Sequence, residues 1–279
     1  MPPWSSRRSA RRRPVPERGP GAPGVPDLSD LLNLAVEAAR AGGAVLRARY
    51  GRPGRITMKP HGAGPVSEAD LASEAAILAR LRTTPIPVLS EEAGGAGSGR
   101  RWIVDPLDGT GNFIRHLPWF GVGVALATDD AVELGVVYVP ITDELFAAAR
   151  GRGATLNGGR IRVSETGSLA QSCIVTSIDQ GMCAVPANIR RFARVAARVA
   201  EMVSPNAALV DLAYVAAGRT DGFWEDGLAP WDMAAGSVLV EEAGGTASQV
   251  DGTPLRLGRP GIAAANRRIH AELIAALAD

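Results

Sequence analysis

The stretch Trp102–Thr110 reads WIVDPLDGT, and the rest of the chain is best interpreted outward from it. Its aromatic and β-branched beginning predicts a buried strand, which we expect to stop at Pro106 because proline cannot donate to a sheet. Asp105 and Asp108 stand three residues apart at the end of that strand, where α/β folds place their ligands. Two carboxylates in such a position form an oxygen-rich site that suits Mg²⁺.

The residues around these two acids extend the same interpretation. The carbonyl of Leu107 offers another oxygen ligand, and Gly109 with Thr110 begins a short helix whose free N–H groups favour an anion. A metal beside a phosphate-binding helix start is the arrangement that phosphate-ester chemistry needs. A lone Asp-x-x-Asp is also common in turns and helix caps, so the pair needs support from other parts of the chain.

Composition indicates a large folded body preceded by a basic tail. The chain has 279 residues, of which 46% are hydrophobic, enough for one large domain or two smaller ones. Residues 1–26 are rich in Pro, Arg and Gly and are predicted to be disordered. They carry six arginines and one glutamate, whereas the whole chain has 30 basic and 29 acidic residues, so the body is slightly acidic. Nucleic acid is therefore not expected as the body's partner, although the tail could bind it.

The sequence favours a cytoplasmic protein without a membrane anchor. No apolar run approaches the ~18 residues that a spanning helix needs, and no signal-peptide core follows the first arginines. Cys173 and Cys183 have neither metal-ligand spacing nor the number that a disulfide framework requires. His61, His116 and His270 are too scattered for a zinc site.

Hydrophobic periodicity divides the body into a first half, 27–164, and a second half, 165–279. The first half begins with an amphipathic helix from Asp27 to about Tyr50. A loop follows and holds Lys59, the single lysine among 30 basic residues, which suggests that a compact ammonium is needed there. Ser67 then caps a second helix, in which Leu71, Ala75, Leu78 and Leu81 are expected to form the buried side.

Several further segments have the pattern of strands or helices. Strands are predicted at 87–90, which ends at Glu91, and at 119–127, 132–139, 145–149, 174–177, 222–224 and 262–265. Helices are predicted at 189–203, 209–217, 230–243 and from 267 onward. The helix at 230 begins with Pro-Trp-Asp and ends at a Gly pair, so Asp232 lies in its first turn.

These separate signals together resemble the inositol monophosphatase family. The stretch Trp102–Thr110 with Asn112-Phe113 resembles its first signature, and Trp231–Gly236 continuing to Gly245 resembles its second. Gly151–Gly158 is similar to the family's linking turn, and Asp211–Gly218 to its penultimate helix. The resemblance runs from about Leu28 to the end of the chain and omits only the tail.

The resemblance implies an α-β-α-β-α sandwich of five layers and a Mg²⁺-dependent phosphomonoesterase, with two or three ions and a homodimeric assembly. It implies that Asp105 is shared between two ions and that Asp70 and Thr110 orient the attacking water. The implied metal ligands are Glu91, Asp105, the Leu107 carbonyl, Asp108 and Asp232, with Lys59 close to the metals. The N–H groups of Gly109 and Thr110 are implied to take the phosphate. The implied substrate contacts are Asp108, Asn206, Ala207, Glu225 and Asp232.

Departures from the family pattern concern the substrate more than the chemistry. The family often has Gly-Ser or Gly-Thr where this chain has Asn206-Ala207, which removes a hydroxyl that usually faces the sugar. Gly111 and Asn112 follow Thr110, and the absent Lys-Glu pair disfavours 3′-phosphoadenosine 5′-phosphate as substrate. Arg115 and His116 are less usual and leave histidinol phosphate or another sugar phosphate open.

The sequence therefore predicts hydrolysis of inositol 1-phosphate or a similar small polyol phosphate. The alternatives on the same scaffold are histidinol-phosphate and fructose-1,6-bisphosphate phosphatase. An alternative of another class is a regulatory protein that binds RNA or the transcription machinery through its arginine-rich tail. A structural Mg²⁺- or Ca²⁺-binding protein without turnover is a third possibility.

Overall fold

The computed structural model describes residues 27–59, 64–95, 98–129, 131–178 and 185–278. The predicted disorder of residues 1–26 lies outside these ranges, and so do His61, Asp130 and Cys183. None of the helices in the described ranges is long and apolar enough to span a membrane.

Helices frame the described part of the chain at both ends. Their bounds are α1 Leu28–Arg49, α2 Glu68–Leu81, α3 Thr110–Ile114, α4 Pro186–Ala196, α5 Ala208–Ala216, α6 Pro230–Glu242 and α7 His270–Leu277. Asp27 accepts hydrogen bonds from the amides of Ser29 and Asp30 and so caps α1. Ser67 and Asp70 form a reciprocal capping box at the start of α2.

The strands form two main sheets and a small hairpin. Those of the first half are β1 Ile56–Met58, β2 Pro65–Ser67, β3 Val88–Ser90, β4 Gly94–Gly95, β5 Arg101–Asp108, β6 Gly121–Ala127, β7 Val132–Val139, β8 Glu144–Ala149, β9 Gly153–Leu156 and β10 Gly159–Arg160. Those of the second half are β11 Cys173–Val175, β12 Glu201–Val203, β13 Gly222–Glu225, β14 Thr246–Ser248 and β15 Ile262–Ala265.

Strand order places β5 well inside the larger sheet. That sheet has the order β10-β9-β8-β7-β6-β5-β3-β4 and is antiparallel except where β3 pairs with β5. The smaller sheet has the order β12-β11-β13-β15-β14, and its first three strands are parallel. The hairpin pairs β1 with β2. The halves 27–164 and 165–279 thus correspond to different sheets, and a domain boundary at residue 164 stays a proposal.

Three hydrophobic clusters show that the elements stack as five layers. On one face of the large sheet, Trp102 and Val104 pack with α1 and α2. On its other face, Ile103 joins the cluster of α5 and α6, which also contains Phe223 of the small sheet. The next residue along β13, Trp224, belongs to the outer cluster with α4 and α7. Neighbouring strand residues point to opposite faces, so the order is helix, sheet, helix, sheet, helix, as predicted.

The predicted buried face of α2 is correct at Leu78 and Leu81 and wrong at Leu71 and Ala75. Leu71 is 53% exposed and Ala75 also faces solvent, whereas Asp70, Ser73 and Glu74 are buried beside Ile77. These four occupy positions i, i+3, i+4 and i+7, which share one face of a helix. The prediction failed because it assigned burial by hydrophobicity, while this face is polar and turns toward the candidate site.

The predicted helix at 189–203 is too long. Helix α4 ends at Ala196, and Glu201–Val203 pairs instead as a parallel edge strand with Cys173–Val175. The segment contains no glycine or proline that would stop a helix, so its hydrophobic periodicity predicted that the helix continues to residue 203. Pairing with β11 overrides that local pattern. Strand β14 was not predicted, and the closing helix begins at His270 rather than at Arg267.

Candidate active site

Strand β5 does not stop at Pro106 as predicted but continues through a bulge to Asp108. Its register pairs Asp105 with Gly123 and Asp108 with Gly121, so β5 takes three steps where β6 takes two. The Leu107 amide donates to Asp105 Oδ1 at 3.0 Å. The bulge places Asp105 and Asp108, with exposures of 2% and 7%, at the same end of a buried strand.

A hydroxyl bridge joins α2 to the beginning of α3. Thr110 Oγ1 lies 2.8 Å from Asp70 Oδ1 and 3.0 Å from the Leu107 carbonyl oxygen. Asp70 Oδ2 accepts from the amide and the hydroxyl of Ser67 at 2.8 and 2.6 Å, so the carboxylate is held from both sides. The structure therefore brings together three predicted site residues, Asp70, Leu107 and Thr110.

Gly109 takes a conformation that a side chain could not share. Its φ is +81°, and an added Cβ would lie 2.9 Å from the Trp119 carbonyl oxygen and 3.2 Å from Ala207 Cβ. Glycine thus permits the tight passage from β5 into α3. The amides at this helix start have no intrahelical acceptor and are the predicted phosphate donors.

Lys59 lies between two glutamates at the end of β3. Its Nζ is 2.6 Å from Oε1 of Glu91, to which it donates a hydrogen bond, and 2.6 Å from Oε1 of Glu92 as an ion pair. Burial acts to lower the pKa of Lys59, but Glu91 and Glu92 outweigh it and raise that pKa. The single lysine is therefore a fixed cation at this site. Glu92 was not predicted, although it adjoins Glu91.

Two further carboxylates are fixed by amides at helix starts. Asp108 Oδ2 accepts from the amides of Leu209 and Val210, in the first turn of α5, at 2.9 and 3.2 Å. Asp232 Oδ2 accepts from the Ala229 amide at 2.7 Å, at the beginning of α6. Both contacts use N–H groups that the helices leave without an internal partner.

We call Glu91, Asp105, Asp108 and Asp232 the carboxylate centre. Burial raises the pKa of Asp105 well above its usual range, and Glu91, Asp108 and Asp232 raise it further. Burial also raises the pKa of Asp108, with Asp232 adding to the rise, and brings that of Asp232 to about 7. The four acids thus lie close enough to repel one another in a desolvated region.

The acids of the carboxylate centre have the chemistry that Mg²⁺ requires, although they do not enclose a ready-made site. Within the described ranges, no three Asp, Glu, His or Cys side chains are arranged to hold a metal ion as they stand. The donor set is nevertheless entirely oxygen, and its mutual repulsion would be relieved by a divalent cation. Glu91, Asp105, the Leu107 carbonyl, Asp108 and Asp232 fit Mg²⁺ on these grounds.

Three buried polar residues behind the centre escaped the sequence prediction. Ser73 Oγ donates to the Pro106 carbonyl at 2.7 Å and so supports the bulge. Glu74 Oε1 accepts from the Ser90 hydroxyl and from the Ala93 amide, and so holds the turn after β3. Both stand on the helical face of Asp70, and this three- and four-residue spacing was the signal that could have found them.

Asp211 is the third missed residue. It is fully buried, and its Oδ1 accepts from Trp119 Nε1 at 3.0 Å. Burial raises the pKa of Asp211 to about 7, although the Trp119 hydrogen bond opposes the rise. Its charge in turn raises the pKa of Asp108.

Of the predicted substrate residues, Asn206, Ala207 and Glu225 lie at or just beyond the carboxyl ends of the parallel strands of the small sheet, whereas Asp108 and Asp232 belong to the carboxylate centre. Glu225 ends β13 with 9% exposure and accepts a hydrogen bond from the Ser177 hydroxyl. Asn206 has φ +61°, a left-handed conformation that asparagine tolerates and glycine adopts freely. The exchange of the family's glycine for Asn206 therefore preserves the backbone. Ala207 is buried and packs beside Gly109.

The chain is similar to known proteins over most of its length. The pattern of the inositol monophosphatase family matches residues 27–279. The chain is 41% identical over 253 residues to an inositol-1-monophosphatase of Synechocystis, covering 88% of each protein. It is 38% identical over 262 residues to the Nus factor SuhB of Escherichia coli, covering 89% of this chain and 96% of that protein.

Solved structures agree as well. The fold is similar to the extragenic suppressor protein suhB of Bartonella henselae, with a TM-score of 0.83 and 39% identity over 88% of this chain and 98% of that one. It is also similar to an inositol monophosphatase from Anabaena, with a TM-score of 0.81 and 38% identity over 90% of this chain and 96% of that one.

Proposed function

Because the chain belongs to the inositol monophosphatase family, we propose that it is a Mg²⁺-dependent phosphomonoesterase. The proposed substrate is inositol 1-phosphate or a similar small polyol phosphate. The observation that carries the proposal is the carboxylate centre itself, in which Asp105 and Asp108 are buried beside the partly buried Asp232, and desolvation with repulsion from neighbouring acids raises the pKa of all three. Such an arrangement is costly for a protein unless a cation binds there.

The metal would be held by the residues of the centre. The ligands are Glu91, Asp105, the Leu107 carbonyl, Asp108 and Asp232, and two or three ions are proposed. Bound Mg²⁺ supplies a water of lowered pKa and neutralises charge that develops on the phosphate oxygens. Lys59 holds Glu91 in place through its 2.6 Å contact.

In the proposed reaction, Thr110 accepts the proton of the attacking water and Asp70 accepts the proton of Thr110. Thr110 donates its one hydroxyl proton to Asp70 Oδ1, which leaves the lone pairs of Oγ1 available to accept a proton from water. As the water oxygen bonds to phosphorus, the ester P–O bond would break and the polyol would leave as an alkoxide that takes its proton from solvent water. The proton of the attacking water would pass to Thr110 Oγ1 while the threonine proton passes to Asp70. The amides of Gly109 and Thr110 would hold the phosphate during this step.

Phosphate release from D-myo-inositol 1-phosphate tests the proposal. We expect turnover by the wild-type protein that requires Mg²⁺ and collapses in Asp105→Asn. If this ester alone is inert, histidinol phosphate and fructose 1,6-bisphosphate are the next substrates on the same scaffold. Metal-linked stability without turnover of any ester would contradict an enzymatic role and favour a structural metal site.

A second candidate function is regulatory, because several similar proteins bear the name Nus factor SuhB. In this alternative the protein binds RNA or the transcription machinery, with the arginines of residues 1–26 as the basic contact. Binding to RNA that is strong, falls with salt and disappears on deletion of residues 1–26 would support it. Salt-independent or absent binding would count against it.

The proposed working form is a cytoplasmic homodimer. This rests on the family alone, and sedimentation at several protein concentrations tests the assembly. A mass equal to one chain at all concentrations would contradict the dimer.

A further inference from the structure

The carboxyl ends of β11, β12 and β13 form one edge of the small sheet, which we call the parallel edge. These three strands run parallel, so the residues that follow them lie at the same side of the sheet. Ligands of α/β proteins bind at this side. The residues in question are Ser177 and Ile178 after β11, Asn206 after β12, and Glu225 at the end of β13.

Asn206 connects this edge to the carboxylate centre. The Asn112 side-chain nitrogen lies 2.7 Å from the Pro205 carbonyl and 3.3 Å from that of Asn206, which ties the segment to α3. Two residues later, α5 offers its first amides to Asp108 at 2.9 and 3.2 Å. Residues 205–210 therefore form a short bridge between the two regions.

The side-chain amide of Asn206 hydrogen-bonds to both the N–H and the C=O of Ile178, as the backbone of a neighbouring strand would. Its Oδ1 accepts from the Ile178 amide at 3.1 Å, and its Nδ2 is 3.4 Å from the Ile178 carbonyl oxygen. The Ser204 hydroxyl donates to the same Oδ1 at 3.0 Å. Because both backbone groups of Ile178 are engaged, the Asn206–Ile178 pair fixes the position and orientation of that residue.

Ser177 immediately precedes Ile178 and faces Glu225. Ser177 is 5% exposed, and its hydroxyl donates to Glu225 Oε2. A serine oxygen that donates its proton still has two lone pairs, and a carboxylate has about four acceptor positions. The Ser177–Glu225 pair thus offers two neighbouring acceptors, which matches a ligand with two adjacent hydroxyl donors.

We propose that Asn206 is a positioning residue that sets substrate specificity. By holding Ile178, it keeps the Ser177–Glu225 pair at a fixed place relative to the carboxylate centre, so that a phosphate ester with adjacent hydroxyls engages both regions at once. Asn206 acts through Ser177 and need not touch the substrate itself. This inference rests on the proposed phosphatase function and adds Asn206 to it as a residue that favours esters with hydroxyls beside the phosphate.

Replacement of Asn206 by glycine isolates this role. Asn206→Gly retains access to φ +61° while removing both contacts to Ile178. The matched control is Asn157→Gly. Asn157 has φ +49°, and its side chain likewise accepts from one amide, Leu145 at 2.9 Å, and donates to one carbonyl, Asp143 at 3.1 Å. It lies in the turn between β9 and β10, at the opposite edge of the large sheet from β3 and β4.

The readout is the ratio of kcat/KM for inositol 1-phosphate to kcat/KM for p-nitrophenyl phosphate, which has no hydroxyl groups beside the ester. We expect Asn206→Gly and Ser177→Ala each to lower this ratio about 5- to 10-fold, mainly through KM of the polyol ester. The double variant should lose little more, because both changes act on one pair. Asn157→Gly should keep the wild-type ratio. An unchanged ratio in Asn206→Gly, or an equal fall in the control, overturns the proposal.

A binding measurement separates this inference from the proposed reaction. The probes are a nonhydrolysable phosphonate analogue of inositol 1-phosphate and inorganic phosphate, each titrated in the presence of Mg²⁺. A selective rise in Kd for the analogue in Asn206→Gly, of about 5- to 10-fold, supports the positioning role even if no ester turns over, an outcome that would refute only the reaction. Failure of the wild-type protein to prefer the analogue over phosphate overturns the inference. If Asn206→Gly does not fold, Ser177→Ala alone decides the result.

Discussion

The carboxylate centre and the parallel edge are joined by residues 205–210 but are built from opposite kinds of interaction. In the centre, acidic side chains lie close together, and desolvation with repulsion from neighbouring acids raises the pKa values of Asp105, Asp108 and Asp232. At the edge, neutral side chains are fixed by hydrogen bonds, Asn206 to Ile178 and Ser177 to Glu225. The first arrangement has an electrostatic cost that a cation can relieve, whereas the second holds hydrogen-bonding groups in fixed positions. We infer that the centre supplies the chemistry and the edge supplies selection.

The largest expected effect comes from removing one charge of the centre. Asp105→Asn should lower kcat by about 10³-fold, because charge stabilisation at the phosphate depends on this ligand. The same change should raise the free energy of unfolding in the absence of divalent cations, since it removes a repelling buried acid. Initial rates and urea unfolding in EDTA measure the two effects.

Asp129→Asn is the control for this substitution. Asp129 is a surface acid that accepts from the Gly99 amide and pairs with Arg101, away from the centre. It should leave kcat within about twofold of wild type. Loss of both activity and metal-free stability in Asp105→Asn would show that Asp105 is a structural group rather than a charge that the fold holds for a cation.

The hydroxyl bridge between α2 and α3 gives the next effect in size. Thr110→Ala should lower kcat about 10²-fold, because the water loses the group that accepts its proton. Thr110→Ser keeps an oxygen within reach of Asp70 and should retain most of the activity. Equal losses in the two variants would place the role of Thr110 in packing of its methyl group.

Asp211 is expected to make the free energy of unfolding depend on pH. Its pKa is about 7 in the folded protein and near 3.8 when unfolded, so the folded state retains a proton that the unfolded state releases as pH rises from about 4 to 7. The free energy of unfolding therefore falls over this interval because of Asp211. Asp211→Asn should become more stable relative to wild type across the same interval, by roughly a few kcal/mol.

Urea unfolding of both proteins in EDTA, at pH 4 and at pH 7, measures this difference. The side-chain amide in Asp211→Asn would keep an oxygen for Trp119 Nε1, so the hydrogen bond that Asp211 accepts in the wild-type protein is preserved. A stability difference that is the same at both pH values would show that Asp211 is not the titrating group.

The smallest effect is expected from the support behind the bulge. Ser73→Ala removes the 2.7 Å hydrogen bond to the Pro106 carbonyl and should cost about 1 kcal/mol, which corresponds to a fall of about 2–4 °C in Tm. Thr83→Ala removes a similar hydroxyl-to-carbonyl bond at the exposed end of α2 and should cost less. A larger loss in Thr83→Ala than in Ser73→Ala would contradict the supporting role of Ser73.

The two regions also differ in how far the sequence alone could predict them. Asp105, Leu107, Asp108 and Thr110 fall within one short motif, so their proximity follows from chain connectivity. The five layers follow from the same family resemblance. Ser73 and Glu74 were missed because burial was assigned to apolar residues such as Leu71, although the helical spacing from Asp70 contained the signal.

The contacts of Asn206 could not be predicted in this way. Its partner Ile178 is 28 residues away, in the segment that follows β11, and the two segments are adjacent because β12 pairs with β11. Residues 201–203, which form β12, were themselves wrongly predicted as the end of a helix. The sequence showed that Asn206 departs from the family's glycine, and only the backbone φ of +61° explains why asparagine is accepted there.

Anomalous scattering from crystals grown with Mn²⁺ in place of Mg²⁺ tests the central claim most directly. We predict anomalous peaks bounded by Asp105, Asp108, Asp232 and Glu91, with the Leu107 carbonyl among the ligands, and loss of these peaks in Asp105→Asn. Absence of peaks from this centre at millimolar Mn²⁺, or peaks only at other positions, would contradict the claim that its buried acids are held together for a cation.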